Sequence, residues 1–515
     1  MSTSTARKVV EETATTHHNL IGGEWQPASD GFTVDMVSPS DGQAFAKIAR
    51  GTKADVDAAV DAARHAFEEG AWSKLTAVER GRLMAKLGEA ILDHHEELSQ
   101  LEARDCGKPM KQARADITAA ARYFEYYGGA ADKVHGDTIP FLDGYMVTIM
   151  REPKGVTGHI IPWNYPAQMF GRSLAPALAM GNAVVMKPAE EACVAPLRMA
   201  QLALEVGFPP GALNVVTGIG EEAGAALAAH PGIDFISFTG LPEVGTLVQK
   251  AAAENHIGCT LELGGKSPQI VFEDADFDAV VPIVVNAIVQ NDGQTCSAGS
   301  RVLVQKSIYA RFVTQVVAKF KQLRVGSHTM DLDCGPLISE NQRKRVHGFI
   351  DRAKKDGIPV LAEAQLADGV PSGGFYVAPV LFGPVPRDNS LACDEVFGPV
   401  LSIIPFEDEA DAVKLANSTE FGLVAGIWTR DGARQMRVAK KMRCGQVREW
   451  LWRGRWHRTA LRRYEEKRPR QGKGPGSAEG VFPHQDHRVQ ARLTYNSFNF
   501  TTRHEVTKKY EEIAE

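Results

Sequence analysis

Cys296 sits in the run Asn291-Asp292-Gly293-Gln294-Thr295-Cys296-Ser297-Ala298-Gly299-Ser300-Arg301, among small and polar residues. A structural cysteine is more often buried among aliphatic side chains, whereas a thiol that a substrate must reach needs surroundings of this kind. Upstream, Thr260-Leu261-Glu262-Leu263-Gly264-Gly265-Lys266 puts a carboxylate on an apolar strand. Burial makes its charge costly, so Glu262 needs either a lysine or arginine partner or a raised pKa. The first alternative is a buried ion pair; the second suits a general base working near neutral pH. Both stay open on these residues alone. The other six cysteines, Cys106, Cys193, Cys259, Cys334, Cys393 and Cys444, are scattered without CxxC spacing. That pattern argues for reduced thiols and against a zinc site or disulfide framework, so no metal is expected.

Groups so far apart in the chain need a scaffold to bring them together. Between residues 151 and 272, short β-rich runs alternate with helical ones: GVTGHIIP, SLAPALAMG, AVVMKP, PLRMAQLALEVGF, LNVVTG, EEAGAALAAH, DFISFTG, EVGTLVQKAAAEN and CTLELGGKSPQIVF. Strand then helix, repeated, predicts a doubly wound parallel sheet, which binds ligands at the carboxyl ends of its strands. Amphipathic helices are predicted before it, over Lys53–Glu69, Thr76–Cys106 and Met110–Gly128, and a second α/β pattern follows from Val302. The strand ends carry unusual residues: Pro162-Trp163-Asn164-Tyr165-Pro166 after the first and Lys187-Pro188-Ala189-Glu190 after the second. After DFISFT come Gly240 and Gly245, with four residues between them. At a strand-to-helix junction such a pair is either a tight turn or a dinucleotide signal, because a helix N-terminus favours a pyrophosphate.

Composition narrows the function classes. The 515 residues are 44% hydrophobic with a formal net charge of -5, which fits a soluble globular protein and offers no overall basic character for a nucleic-acid partner. The first twenty residues lack the apolar core of a secretory signal and carry Glu11 and Glu12, so the cytoplasm is expected. The longest apolar run, Ala279 to Gln290, is broken by Pro282 and Asn286 and is too short to span a membrane.

Together, PWNYP, KPAE, LELGGKSP, GQTCSAGSR, Glu395-Val396-Phe397-Gly398-Pro399-Val400 and Thr419-Glu420-Phe421-Gly422-Leu423 resemble the NAD(P)-dependent aldehyde dehydrogenase superfamily, in its order and spacing. The likeness runs from Leu20-Ile21-Gly22-Gly23-Glu24-Trp25 to Cys444-Gly445-Gln446-Val447. It implies an α/β fold: a Rossmann-type doubly wound cofactor domain (20–130 and 151–262), an α/β catalytic domain (263–445) and a small β oligomerisation arm. A hairpin at 131–150 would contribute to that arm, with 1–19 a flexible N-terminus. It further implies oxidation of an aldehyde to its acid, with Cys296 as nucleophile and Asn164 and the Cys296 N–H holding the oxyanion. Glu262 would activate the water that hydrolyses the thioester, and its retention favours hydrolysis over transfer to coenzyme A. Trp163, Lys187, Glu190, Gly240, Gly245, Glu395 and Phe397 would contact the cofactor. A carboxylate at Glu190 would repel a 2′-phosphate, so NAD is expected over NADP. Many relatives have serine where this chain has Leu241, so backbone N–H groups must suffice there. Homodimers or homotetramers are implied, with no nucleic acid or membrane partner.

After Val447 the family's Asn-Gly, Leu-Pro-Phe-Gly-Gly and Ser-Gly motifs are missing. In their place stands REWLWRGRWHRTALRR, with three of the seven tryptophans between Trp450 and Trp456 and eight arginines between Arg448 and Arg470. Clustered arginine and tryptophan are one footprint of nucleic-acid or anionic-membrane binding. A frameshift explains more. Arg-Glu-Trp-Leu-Trp can be spelled CGT GAA TGG CTA TGG, which without its first letter reads Val-Asn-Gly-Tyr-Gly. His457 to Arg468, shifted alike, can read Ile-Glu-Leu-Pro-Phe-Gly-Gly-Met-Lys-Lys-Ser-Gly. Residues 446–515 are therefore expected to be an altered arm, disordered or poorly packed. The alternative function is a catalytically impaired NAD-binding homologue.

Overall fold

The strand–helix alternation after residue 151 supplies five strands of a seven-stranded sheet. The computed structural model describes residues 15–450 and 502–503. In the first sheet the strands are β1 (Asn19–Ile21), β2 (Glu24–Gln26), β3 (Val156–Ile161), β4 (Ala183–Pro188), β5 (Leu213–Val215), β6 (Phe235–Thr239) and β7 (Gly258–Glu262). They lie in the order β7-β6-β3-β4-β5-β1-β2. The five strands from β3 to β7 are parallel, and β1 and β2 close one edge antiparallel. All six residues of β4 are buried, as expected for a parallel strand covered on both faces. From β3 the chain moves outward to β4 and β5, then returns to the other side of β3 with β6 and β7. That reversal opens a crevice at the carboxyl ends of β3 and β6.

Helices α1 (Lys53–Glu68), α2 (Ala77–Asp93), α3 (His95–Cys106) and α4 (Met110–Ala130) precede the parallel core. Thr52 with Asp55, and Thr76 with Glu79, form capping boxes that fix where α1 and α2 begin. The run predicted as one helix from Thr76 to Cys106 is two. His94 ends α2 at φ -100°, ψ 23°, and its Nδ1 lies 2.9 Å from the Ala90 carbonyl, satisfying a last-turn carbonyl and letting α3 start afresh. A Cβ at Gly81 would lie 2.5 Å from the Gly128 carbonyl, so glycine there lets α2 and α4 approach closely.

Three more helices in this half are α5 (Pro166–Ala179), α6 (Val194–Glu205) and α7 (Pro242–Glu254). α5 is buried at twelve of its fourteen positions; Phe170 packs against Phe124 of α4 with ring centroids 5.8 Å apart and planes tilted by 50°.

The second sheet comprises β8 (Pro268–Val271), β9 (Arg301–Gln305), β10 (Val360–Glu363), β11 (Val380–Phe382), β12 (Val400–Phe406), β13 (Val424–Trp428) and β14 (Gln446–Trp450). Their order is β10-β11-β12-β9-β8-β13-β14, all parallel except β10. Helix α8 (Phe277–Val289) packs its valines into this half. Residues 446–450, which sequence reading assigned to the altered arm, form the edge strand β14, in register with β13 from Val424↔Gln446 to Trp428↔Trp450. The ladder needs only backbone groups, so the odd side chains do not prevent it. Residues 451–501 and 504–515 lie outside the described residues. Asp137–Ile139 and Val147–Ile149 pair as an antiparallel hairpin with Phe141, Leu142 and Met146 exposed around it. Among the described residues no helix is long and apolar enough to cross a membrane.

Candidate active site

Cys296 follows a strained turn. After α8 ends, Asn291 (φ 47°), Asp292 (φ 59°) and Gly293 (φ 74°) are all left-handed. Non-glycine residues there cost about 1–3 kcal/mol each and persist only when neighbours hold them. Asn291 does so through its Nδ2, which donates to the carbonyls of Asn164 (2.7 Å) and Gln294 (3.2 Å), while its N–H donates to Gln112 at 2.7 Å. Asp292 accepts from the Gly335 N–H, and a Cβ on Gly293 would lie 2.2 Å from the Gly398 backbone.

Beyond the turn, Gln294 Oε1 accepts from the Ile338 N–H at 2.9 Å. Asn164 Nδ2 donates to the Gln294 carbonyl at 2.9 Å, and the Tyr165 hydroxyl lies 2.7 Å from Thr295 Oγ1. The residues after β3 thus grip the two residues before Cys296. The Cys296 carbonyl presses on Gly265, where a Cβ would approach it to 2.1 Å. Burial pushes the Cys296 thiol up to about 11; the Arg172 guanidinium pulls it down, while the carboxylates of Glu262 and Glu395 push it further up.

Glu262 ends β7. Its Oε1 lies 3.1 Å from Arg172 Nη2, with the two side chains 18% and 23% exposed. Of the two alternatives the strand left open, the ion pair is present, and its partner comes from α5. Sequence reading missed Arg172, although a lone arginine in the apolar helix PAQMFGRSLAPALA was a usable signal.

A second missed feature lies behind Asn164. Lys108, wholly buried, donates to Glu102 (2.9 Å), Asp116 (2.7 Å) and the Asn164 carbonyl (3.0 Å). Glu102 also accepts from the Ala167 N–H at 3.2 Å, a carboxylate set at the positive end of α5. This network fixes the start of α5 and with it the Asn164 backbone.

The remaining residues singled out by sequence line the carboxyl ends. Lys187 Nζ donates to Glu190 Oε2 at 2.6 Å, and Glu190 Oε1 accepts from the Gly220 N–H at 3.2 Å. Burial raises the neighbouring Glu191 carboxyl to about 7, with the Glu190 charge adding to it. Gly240 closes β6 and Gly245 lies in the first turns of α7. A Cβ at either would come within 2.6 Å of a side chain, Phe238 or Leu263. Leu241, at the N-cap of α7, is 55% exposed and supplies no side-chain cap. Glu395 accepts from the Gly265 N–H at 2.8 Å, and burial raises it to about 7. Phe397 takes a positive φ of 57° and packs edge-on to Trp163, centroids 5.4 Å apart. Among the described residues no cluster of histidine, cysteine and carboxylate could hold a metal.

Comparison with known proteins places the chain by family and fold. The model of the aldehyde dehydrogenase family matches residues 25–458. Retinal dehydrogenase 2 of Homo sapiens is 41% identical over 436 residues, 84% of this chain and 83% of that protein. A Burkholderia cenocepacia protein, crystallised as an unproven aldehyde dehydrogenase, superposes with a TM-score of 0.83 at 59% identity, covering 84% of this chain and 90% of that one. The NAD+ complex of a Bacillus cereus aldehyde dehydrogenase gives 0.82 at 38% identity, covering 85% and 89%.

Proposed function

The chain belongs to the aldehyde dehydrogenase family, and from that premise we propose the roles its residues take in the NAD-dependent oxidation of an aldehyde to its acid. The Cys296 thiolate attacks the aldehyde carbon, forming a C–S bond. Asn164 Nδ2 carries two N–H donors, of which Gln294 uses one; with the Cys296 N–H it holds the resulting oxyanion. When bound, NAD supplies the hydride acceptor that makes the oxidation possible, leaving the acyl group as a thioester on Cys296. Glu262 then takes a proton from water, the water oxygen attacks the thioester carbonyl, the C–S bond breaks, and acid and thiolate are released.

The residues present fit the cofactor. Glu190, oriented by Lys187 and the Gly220 N–H, would hold the adenosine ribose hydroxyls, and Glu395 the nicotinamide ribose. The backbone of Gly240 and the uncapped first turn of α7 would receive the pyrophosphate, with Gly245 allowing α7 to lie close to Leu263. Trp163 and Phe397 would wall the nicotinamide side. On this reading residues 20–130 and 151–262 are the cofactor half, 263–445 the catalytic half, and the 131–150 hairpin an oligomerisation element. No two of the seven cysteines are joined, which suits a reducing compartment, and we assign the cytoplasm.

The observation that carries the proposal is the convergence on one crevice of Asn164, Glu262 and Cys296 from three separate elements. Two variants test it. Cys296→Ala should abolish NADH production while NAD still binds; substantial residual oxidation would remove Cys296 from its role. Glu262→Gln should give a fast NADH burst followed by a very slow steady state, because the acyl enzyme forms but is not hydrolysed. Equal loss in both phases would place Glu262 in an earlier step or in a purely structural one.

A further inference from the structure

Arg172 is not among the residues the family resemblance assigned, yet it links the two groups on which the proposed chemistry depends. It lies eight residues after Asn164, so α5 brings the oxyanion donor at its start and a cation about two turns on. Its guanidinium contacts Glu262 at 3.1 Å. Desolvation works against its charge, but Glu262, Tyr123 and Cys296 outweigh it and leave Arg172 above its ordinary range.

Five side chains act electrostatically on the Cys296 thiol. Arg172 and Tyr165 come with α5 and its entry, Glu262 with β7, Glu395 with the loop before β12, and Arg448 with β14. Desolvation holds Arg448 below its ordinary range while the Cys296 charge pulls the other way. Two of these groups are carboxylates that oppose a thiolate. Arg172 is the leading charge in its favour, and it also fixes one of the opposing carboxylates.

The geometry points to Arg172 as a positioning residue with two linked tasks, and this rests on Cys296 and Glu262 having the roles proposed above. In the resting enzyme Arg172 holds the Glu262 carboxylate to one side and favours the Cys296 thiolate for attack. Once the thioester has formed, the thiolate charge is gone, and Glu262 leaves Arg172 to take a proton from water. The hydroxide equivalent adds to the acyl carbon, the C–S electron pair returns to sulfur, and the thiolate re-forms beside Arg172. The guanidinium thus faces carboxylate and thiolate in the resting enzyme, neither charge while Glu262 turns from it to the water that attacks the thioester, and the thiolate again once the C–S bond breaks.

The test uses full-length enzyme and the variants Arg172→Met, Arg172→Gln and Arg172→Lys. The readouts are the pH profile of kcat/KM and the pH dependence of Cys296 alkylation by iodoacetamide, with the modified peptide identified by mass spectrometry. Removing the charge should move the Cys296 ionisation upward by about one pH unit, so alkylation near neutral pH slows about tenfold. Lysine should restore the profile to within a few tenths of a unit, and the burst-to-steady-state ratio should change only in the neutral variants. Gln carries the same prediction if Met fails to fold. An alkylation profile unmoved in the neutral variants, with activity lower by the same factor at every pH, would reduce Arg172 to a structural role and overturn the inference. So would a loss confined to KM for carboxylate-bearing aldehydes, which would make Arg172 a substrate contact instead. Full activity in Cys296→Ala would instead remove the underlying reading.

Discussion

At the scale of a single residue, we propose that Glu190 carries the discrimination between the two nicotinamide cofactors. Its two oxygens are already occupied by Lys187 and the Gly220 N–H, so it cannot swing away to admit a phosphate without losing both bonds. The half-buried Glu191 beside it adds a second negative group as pH rises through about 7. A 2′-phosphate would meet these carboxylates at close range, where repulsion of a few kcal/mol is the expected order. Glu190→Gln removes one of them and retains a hydrogen-bonding amide. Its NADP-to-NAD ratio of kcat/KM should rise by about tenfold, equivalent to roughly 1.4 kcal/mol. An unchanged ratio would assign the discrimination to another group.

Helix α5 is the element on which the site turns. Its N-terminus is fixed by Glu102 and the Lys108 network, its body is buried, and it carries Asn164 just before its start and Arg172 in its body, the latter against Glu262. Phe170, fully buried against Phe124, is the wedge between α5 and α4. Phe170→Ala should cost about 3–5 kcal/mol through lost burial and a residual cavity. Phe312, equally buried in the other half and packed on Phe277 at 5.2 Å, provides the control. Both variants should lower the melting temperature by similar amounts, but Phe170→Ala should lower kcat at least severalfold more. Equal effects on kcat would mean that α5 tolerates loosening without displacing the residues it carries.

The whole molecule poses the question of assembly. Phe141 (53% exposed), Leu142 (61%) and Met146 (85%) cluster on the 131–150 hairpin, and Leu241 and Leu247 add apolar surface on α7. Exposed apolar groups mark interaction surfaces or aggregation hazards where they gather into a patch. We propose that the segment which would complete the assembly is encoded out of frame after Val447. Edge strand β14 remains because its ladder is made by backbone, but the family's later motifs are absent from the sequence as written. A version shifted in frame after Val447 should form a discrete dimer or tetramer by light scattering and give far faster NADH production. The chain as written should aggregate or fail to assemble and be catalytically impaired. A stable, fully active oligomer of the chain as written would defeat the frameshift reading and return a functional role to its arginines and tryptophans.

The groups proposed to react stood out because residues of their types leave local marks. A cysteine among small polar residues, a carboxylate on an apolar strand and glycines at a strand–helix junction are each unusual within a few residues, and their joint order was enough to identify the family. Strand β4 and its Lys187–Glu190 end could likewise be read directly, since a parallel strand covered on both faces is a continuous apolar run. What the sequence left open were choices made across long separations. It left Glu262 with either an ion-pair partner or a raised pKa and could not select Arg172, 90 residues away, because that pairing exists only once β7 lies beside β6 and α5 brings the guanidinium to the end of β7. It could not place Lys108 beneath Asn164, since a buried lysine is tolerable only where two carboxylates and a carbonyl converge in three dimensions. Nor could it show that Arg448 joins a ladder, because an edge strand is defined by its neighbour's backbone rather than by its own side chains.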